Sequence, residues 1–343
     1  MAPEKFCTPL KVALSVVVPC YNEEPGLAEL HQRLSVACRN CLGDDYEIVL
    51  INDGSKDDTW PVIRSLTDKD PHIVGVNLSR NHGHQLALTA GLSICRGERI
   101  FVIDADLQDP PELLNDMWAL VDKGADVVYG QRKTRSGETW FKKFSAACFY
   151  RLLQKMTDVN IPIDTGDFRL MTRRVLATLQ SMPEHHRFIR GMITWVGYKQ
   201  VPIHYDRAER FAGKTKYPLK KMMQFALDAI TGFSTRPLRV ASHAGAVLAV
   251  LSFFIFGYVL YGWFQGKSVA GWASLMAVVL VLGSANMLFL GILGEYLGRL
   301  YMESKRRPLF IIEEIYRIEN EREDAISFQK ATVTQEDRLS GKG

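Results

Sequence analysis

The run Asp104-Ala105-Asp106-Leu107-Gln108 is where residue type and spacing most plainly suggest chemistry. Two carboxylates two residues apart, with an amide two further on, can converge on one hard divalent cation, Mg2+ or Mn2+. Such a cation takes few protein ligands and fills its shell with water and phosphate oxygens. Held there, it would neutralise and orient a departing diphosphate. On this reading Asp104, Asp106 and Gln108 are the metal ligands. Short acidic loops are common in proteins, so the reading depends on the elements that position this one.

Those elements alternate. Leu14–Pro19 is a β-branched run that reads as a buried parallel strand. Asn22-Glu23-Glu24-Pro25 opens a helix to about Ala37, with the proline near its first turn. Tyr46–Asn52 is a second buried strand, closed by Asp53-Gly54, and Asp57 or Asp58 could cap the next helix. Ile73–Leu78, the helix His84–Ile94 and the strand Arg99–Ile103 complete the series. Strands and helices alternating at this spacing predict an α/β fold with a right-handed, doubly wound, mostly parallel sheet. Such sheets bind ligands at the carboxyl ends of their strands. That singles out residues 19–23, 52–55, 79–83 and 104–108. Asp53 could accept from a base N–H, or make a turn or helix cap. Tyr21 could cover a base or ribose, and Glu23 could bond a base edge.

The 343 residues carry 42 Lys and Arg against 38 Asp and Glu, a net charge of +4, too small to argue for nucleic acid. Basic residues cluster at 132–155, 207–221 and 299–307, beside amphipathic or apolar segments, as at a membrane surface. Residues 140–156 and 216–233 read as interfacial amphipathic helices. Two apolar stretches, about 240–264 and 272–297, each exceed the ~20 residues that cross a bilayer core. Arg236 and Arg239 precede the pair, and Arg299, Lys305, Arg306 and Arg307 follow it. The positive-inside rule therefore expects a multi-pass protein of the inner membrane with both termini and the soluble domain cytoplasmic. The expected organisation is a soluble domain over 1–235, a two-helix hairpin over 236–298 and a tail over 299–343. The glycines Gly283, Gly291, Gly294 and Gly298 would allow close helix approach, and 307–313 reads as a β-like segment able to extend a neighbouring sheet edge. Both features suggest a homo-oligomer, such as a tetramer. Residues beyond about Asn320 have a disordered composition. Of six cysteines, Cys38 and Cys41 form a CxxC without a second pair, so the thiols read as structural. No basic-then-apolar leader is evident at the N-terminus.

Four segments then resemble a known family. Val16–Glu24, Ile51–Asp58, Asn77–Gly83 and Asp104–Glu112 are similar to the inverting glycosyltransferase family 2, with its GT-A type fold. The resemblance runs from about residue 13 to 312 and is closest to the polyprenyl-phosphate glycosyltransferases. It implies a nucleotide-sugar donor and a polyprenyl phosphate acceptor. It also implies that Pro19, Tyr21, Glu23 and Asp53 contact the nucleoside, and that Asp104 and Asp106 meet donor phosphate and metal. UDP-glucose is the expected donor, because Thr165–Arg169 and His185–Gly191 resemble the bactoprenol glucosyltransferase branch; GDP-mannose and UDP-N-acetylglucosamine are the alternatives.

Three later motifs suit that subgroup. They are Gln131-Arg132, Thr165-Gly-Asp-Phe-Arg169 and the basic loop Glu209–Tyr217. Arg132, Arg169, Arg210, Lys214 and Lys216 are natural binders of donor or lipid phosphate. Asp106, Arg132 and Asp167 are the residues expected to serve catalysis. Asp167 invites the role of general base, yet a lipid phosphate monoester is already largely dianionic at neutral pH. Asp167 therefore reads first as an orienting group and second as a base. A processive polysaccharide synthase would carry a QxxRW motif and more spans, which the sequence lacks. A non-catalytic scaffold would not need intact acidic and basic motifs.

Overall fold

The computed structural model describes residues 12–132, 165–185, 187–206, 236–265 and 271–318. In chain order its elements are β1 (Val12–Cys20), α1 (Leu27–Leu42), β2 (Tyr46–Asn52), α2 (Thr59–Lys69), β3 (Ile73–Leu78), α3 (His84–Ile94), β4 (Gly97–Val102) and α4 (Leu114–Asp122). There follow β5 (Val127–Arg132), β6 (Thr165–Thr172), α5 (Arg173–Ser181), α6 (Ile189–Val196), β7 (Gln200–Tyr205), α7 (Arg236–Phe264), α8 (Trp272–Ser304) and β8 (Ile312–Tyr316). They gather into two compact units. Among the described residues the first comprises 12–119 and 310–318; the second comprises 120–132, 165–185, 187–206, 236–265 and 271–309.

The first unit is the doubly wound half. Its strands run in the order β4-β1-β2-β3-β8. β1 is parallel to β2 and β4, and β2 is parallel to β3. Leu14, Val16, Val17 and Val18 of β1 are fully buried, as are Ile48 and Ile51 of β2. Helices cover the sheet, so these strands read as unbroken apolar runs rather than alternating ones. Pro19 is tolerated because it lies beyond the last β1–β4 pair, Val17 with Val102. Glu24–Gly26 forms a 3-10 turn before α1, with Pro25 near its start. The cap of α2 comes from Asp57, whose Oδ1 accepts from Thr59 N at 3.2 Å; Asp58 occupies the cap position without a side-chain bond. Cys38 is buried, and burial pushes its thiol up to about 12, which suits a structural cysteine.

The tail segment departs from expectation in place. The strand is Ile312–Tyr316 rather than 307–313, and it extends a sheet edge by pairing antiparallel with β3 of the same chain. Asn77 Nδ2 donates to Glu313 Oε2 at 2.9 Å, and Tyr316 OH donates to Asp68 at 2.7 Å. β3 would otherwise be an open edge, and covering it satisfies the ladder.

In the second unit β5 is antiparallel to β6 and parallel to β7. Phe168 of β6 is fully buried and meets the Tyr205 ring edge-on at 5.4 Å. Arg187 is buried and donates to Met182 O and Leu179 O, closing the carboxyl end of α5. The apolar helices α7 and α8 are 29 and 33 residues long. Their stretches Arg236–Tyr258 and Val278–Ser304 have a mean hydropathy of 1.9, and none of either is buried in the protein. Phe253, Phe254, Leu280 and Leu288 stand exposed, which only an apolar medium would favour. A Cβ on Gly283, Gly291, Gly294 or Gly298 would meet nothing within 4 Å, so these faces are open in the single chain. The expected interfacial helices, the basic loop with Arg210, Lys214 and Lys216, Cys7, Cys148 and the tail beyond 320 lie outside the described residues.

Candidate active site

In the first unit the chain winds from β1 to β2 to β3, then crosses back through α3 to place β4 on the other side of β1. This reversal opens a crevice between the loops that follow β1 and β4, where doubly wound sheets hold ligands. Gly26, after the β1 loop, lies against Leu107 and Ala105 of the β4 loop; a Cβ there would stand 3.7 Å from Leu107 Cδ1.

The β1 and β2 loops brace each other through side-chain to backbone bonds. Asn22 N donates to Ser55 Oγ at 3.0 Å, and Lys56 N donates to Asn22 Oδ1 at 2.8 Å. Glu23 N donates to Thr59 Oγ1 at 3.0 Å. Asn22 adopts a left-handed φ of 56°, a conformation asparagine tolerates. The resulting turn leaves Tyr21 42% exposed and Glu23 half-buried at the crevice. Behind them, Asn52 Nδ2 donates to Asn77 Oδ1 at 2.7 Å, which extends the bracing to β3 and, through Asn77, to Glu313.

Asp53 is buried, and its carboxylate is committed to the third loop. Oδ1 accepts from His82 N at 2.7 Å and Oδ2 from Gly83 N at 2.9 Å. Burial pushes its acid up, while those two N–H groups pull it back. Gly54 follows with φ of 60°, and a Cβ there would lie 2.5 Å from the backbone of Arg80 and Asn81. Only glycine allows the second and third loops to approach so closely.

The acidic turn has a two-faced pattern. Asp104, Asp106 and Gln108 are half-exposed, while Ala105, Leu107 and Asp109 between them are buried. Leu107 takes a left-handed φ of 59°, and Gln108 N donates to Asp106 Oδ1 at 3.2 Å. Ala105 and Leu107 anchor the turn, so Asp104, Asp106 and Gln108 share its half-exposed side. Oxygen donors on an accessible turn fit a hard divalent cation. No group of three His, Cys, Asp or Glu side chains converges among the described residues, so phosphate and water oxygens would complete its shell. His84, the first residue of α3, holds Nε2 3.5 Å from Asp104 Oδ1.

The second unit places Asp167 of β6 between two guanidiniums. Arg169 Nη2 and Arg190 Nη2 each lie 3.6 Å from its Oδ1, and the Asp167 side chain is 6% exposed. Arg169 is itself buried and donates to Gly166 O at 2.9 Å and Asp167 O at 3.2 Å. It is therefore bound to its own strand rather than displayed as an open phosphate fork. Arg132 ends β5 half-exposed. Sequence reasoning missed Arg190 and His84. Arg190 falls within the His185–Gly191 segment, but nothing in its spacing marks it as a partner of Asp167. His84 reads as an ordinary first residue of a helix.

Comparison with known proteins gives the family. The family model "Glycosyl transferase family 2" matches residues 15–180, and "GtrB C-terminal hairpin" matches residues 236–300. The uncharacterized glycosyltransferase YkcC of Bacillus subtilis (strain 168) is 47% identical over 312 residues, covering 91% of this chain and 96% of that one. The bactoprenol glucosyl transferase of Shigella phage SfV is 38% identical over 301 residues, covering 88% and 98%. Among solved structures, the mannosyltransferase PcManGT from Pyrobaculum calidifontis, in complex with GDP-Man and Mn2+, is 20% identical. That match covers 86% of this chain and 88% of that one, with a TM-score of 0.47.

Proposed function

We propose, from the premise that this chain belongs to glycosyl transferase family 2 and is a glycosyltransferase, that it moves glucose from UDP-glucose to a polyprenyl phosphate. The relative named bactoprenol glucosyl transferase supports both the sugar and the lipid carrier. The observation that carries the reading is the acidic turn at the β1/β4 crevice, in a chain that also bears two membrane-length helices.

The transfer is inverting. A lipid phosphate oxygen attacks the anomeric carbon as the bond from that carbon to the diphosphate oxygen breaks, and the nucleoside diphosphate departs. Asp104, Asp106 and Gln108 would hold Mg2+ or Mn2+, which when bound neutralises charge on the leaving diphosphate. Tyr21, Glu23 and Pro19 line the nucleoside side of the crevice. Asp53 serves that side by fixing the backbone of His82 and Gly83. Arg132, together with Arg210, Lys214 and Lys216 outside the described residues, supplies cations for donor and lipid phosphate.

Asp167 orients sugar or acceptor. Protonating it would set a neutral acid against two guanidiniums, a poor arrangement for a base. The nucleophile has no proton that must be removed. Catalysis then rests on positioning and charge stabilisation. The spans α7 and α8 anchor the enzyme in the inner membrane, with arginines at their outer ends on the cytoplasmic side.

Purified protein incubated with Mg2+, undecaprenyl phosphate and radiolabelled UDP-glucose tests this directly. Label is expected in the organic phase. Label from GDP-mannose or UDP-N-acetylglucosamine alone would replace the donor. No transfer from any nucleotide sugar would overturn the enzymatic reading.

A further inference from the structure

The loop that follows β3 is held from several sides. Asp53 is buried and spends both carboxylate oxygens on the amides of His82 and Gly83. Asn81 Nδ2 donates to Asp53 O at 3.1 Å. Gly54 lets the second loop lie directly against Arg80 and Asn81. Gly83 then turns the chain with φ of 93°, and α3 starts at the next residue. Leu86 N and Ala87 N both donate to Gly83 O at 3.0 Å, so the helix begins tightly.

These constraints determine where His84 goes. α3 is the crossover from β3 to β4, and it packs on β1 and β2. Its first residue therefore stands over the carboxyl ends of the central strands, at the crevice. There the His84 imidazole is 43% exposed and the Asp104 side chain 27% exposed, with Nε2 and Oδ1 3.5 Å apart. Both side chains keep part of their surface exposed, although Asp104 Oδ1 itself is enclosed. Neither is needed to fill the core, which α3 supplies through Ala87, Leu88 and Ala90.

We propose that His84 is a positioning residue for Asp104: the braced β3 loop holds its imidazole Nε2 3.5 Å from Oδ1, and that contact helps set the orientation in which the carboxylate meets the cation carried with a nucleoside diphosphate. A carboxylate ligand can swing about its own side-chain torsions, and each neighbour packed on it narrows that range. An imidazole held on a helix adds to this narrowing, as outer-shell partners of metal ligands commonly do. The role does not depend on a change of charge on His84. It rests on the proposed donor site, and deepens it by adding a residue from α3 to the two carboxylates of the β4 loop.

The test is Mn2+ binding in the presence of UDP, followed by electron paramagnetic resonance on the full-length protein in detergent. His84→Leu is expected to weaken Mn2+ binding by about tenfold, the lower end for an outer-shell partner. His84→Gln keeps an N–H near the position of Nε2 and is expected to stay within about threefold of wild type. A helix-starting role alone would not distinguish these two, because neither side chain caps the helix. On an Asp104→Asn background, His84→Leu should add no further loss. A melting temperature for each variant separates misfolding from lost binding, and His84→Ala repeats the measurement if the leucine variant melts early. Wild-type binding that is unchanged in His84→Leu would overturn this inference and leave the donor site standing. Failure of wild type to bind Mn2+ with any nucleoside diphosphate would overturn both.

Discussion

Two sets of aspartates meet different fates in this molecule. Asp104 and Asp106 sit half-exposed on a turn whose apolar residues face inward. Asp167 is buried on a strand between Arg169 and Arg190. The first pair lies on a half-exposed face that a ligand bringing its own phosphates and water could meet. The second has its charge balanced by the protein itself. A carboxylate of the first kind can be neutralised with little effect on the fold, because its cost of burial is small. Neutralising one of the second kind strands the cations that face it, the buried Arg169 above all. On the proposed function, the contrast separates carboxylates offered to a ligand from one that holds its surroundings in place, although all are aspartates in polar motifs.

The contrast breaks most visibly if the exposed pair matters to stability rather than to rate. Asp104→Asn or Asp106→Asn should lower the turnover of radiolabelled sugar transfer by about 100- to 1000-fold, the scale of losing a preorganised charge-stabilising group. Thermal unfolding in detergent should show stability within about 0.5 kcal/mol of wild type. A large drop in stability with near-normal transfer would reverse the assignment.

Asp167→Asn tests the other side. It should destabilise the protein by about 3 kcal/mol, because two guanidiniums lose their shared counter-charge. Transfer should fall uniformly across pH in the fraction that remains folded. Loss of a basic limb from the pH–rate profile would instead make Asp167 the general base.

Another buried carboxylate sharpens the comparison with a smaller effect. Asp70 accepts from His31 Nε2 and His72 Nδ1, each at 2.8 Å, and from His72 N at 3.0 Å. Burial pushes its acid up, but these bonds outweigh it and hold the group at about 2. The folded value lies below the unfolded one of roughly 3.9. Asp70 therefore stabilises the fold above that pH, and the contribution is lost as pH falls from about 4 towards 2. Melting temperatures between pH 2 and 6 should show a shallower acid decline for Asp70→Asn than for wild type. Parallel declines would place the acid sensitivity elsewhere.

Much of the fold was legible because its signals are local. β1 and β2 read as buried strands from their unbroken apolar runs, and their observed ends differ from expectation by only a few residues. The acidic turn read correctly as a strand-end loop, and its alternating burial follows from alternating polar and apolar residues. The tail strand was legible as β-like but not in its partner. Its pairing with β3 depends on a return from residue 311 to an edge laid down near residue 75, which no local pattern encodes. Arg169 was read as a phosphate fork from its type alone, yet burial turned its donors towards Gly166 O and Asp167 O.

The residues alone determined the class of fold, the loops that could bind a ligand, the carboxylates suited to a cation and the helices long enough to span a bilayer. Each of these follows from side-chain chemistry and short-range periodicity. Tertiary structure decided which partner each charged group received: Arg190 for Asp167, His84 for Asp104, and the amides of His82 and Gly83 for Asp53. Those pairings span distant stretches of chain, and they form only where strand order and helix crossover bring the groups within hydrogen-bond or Coulombic reach.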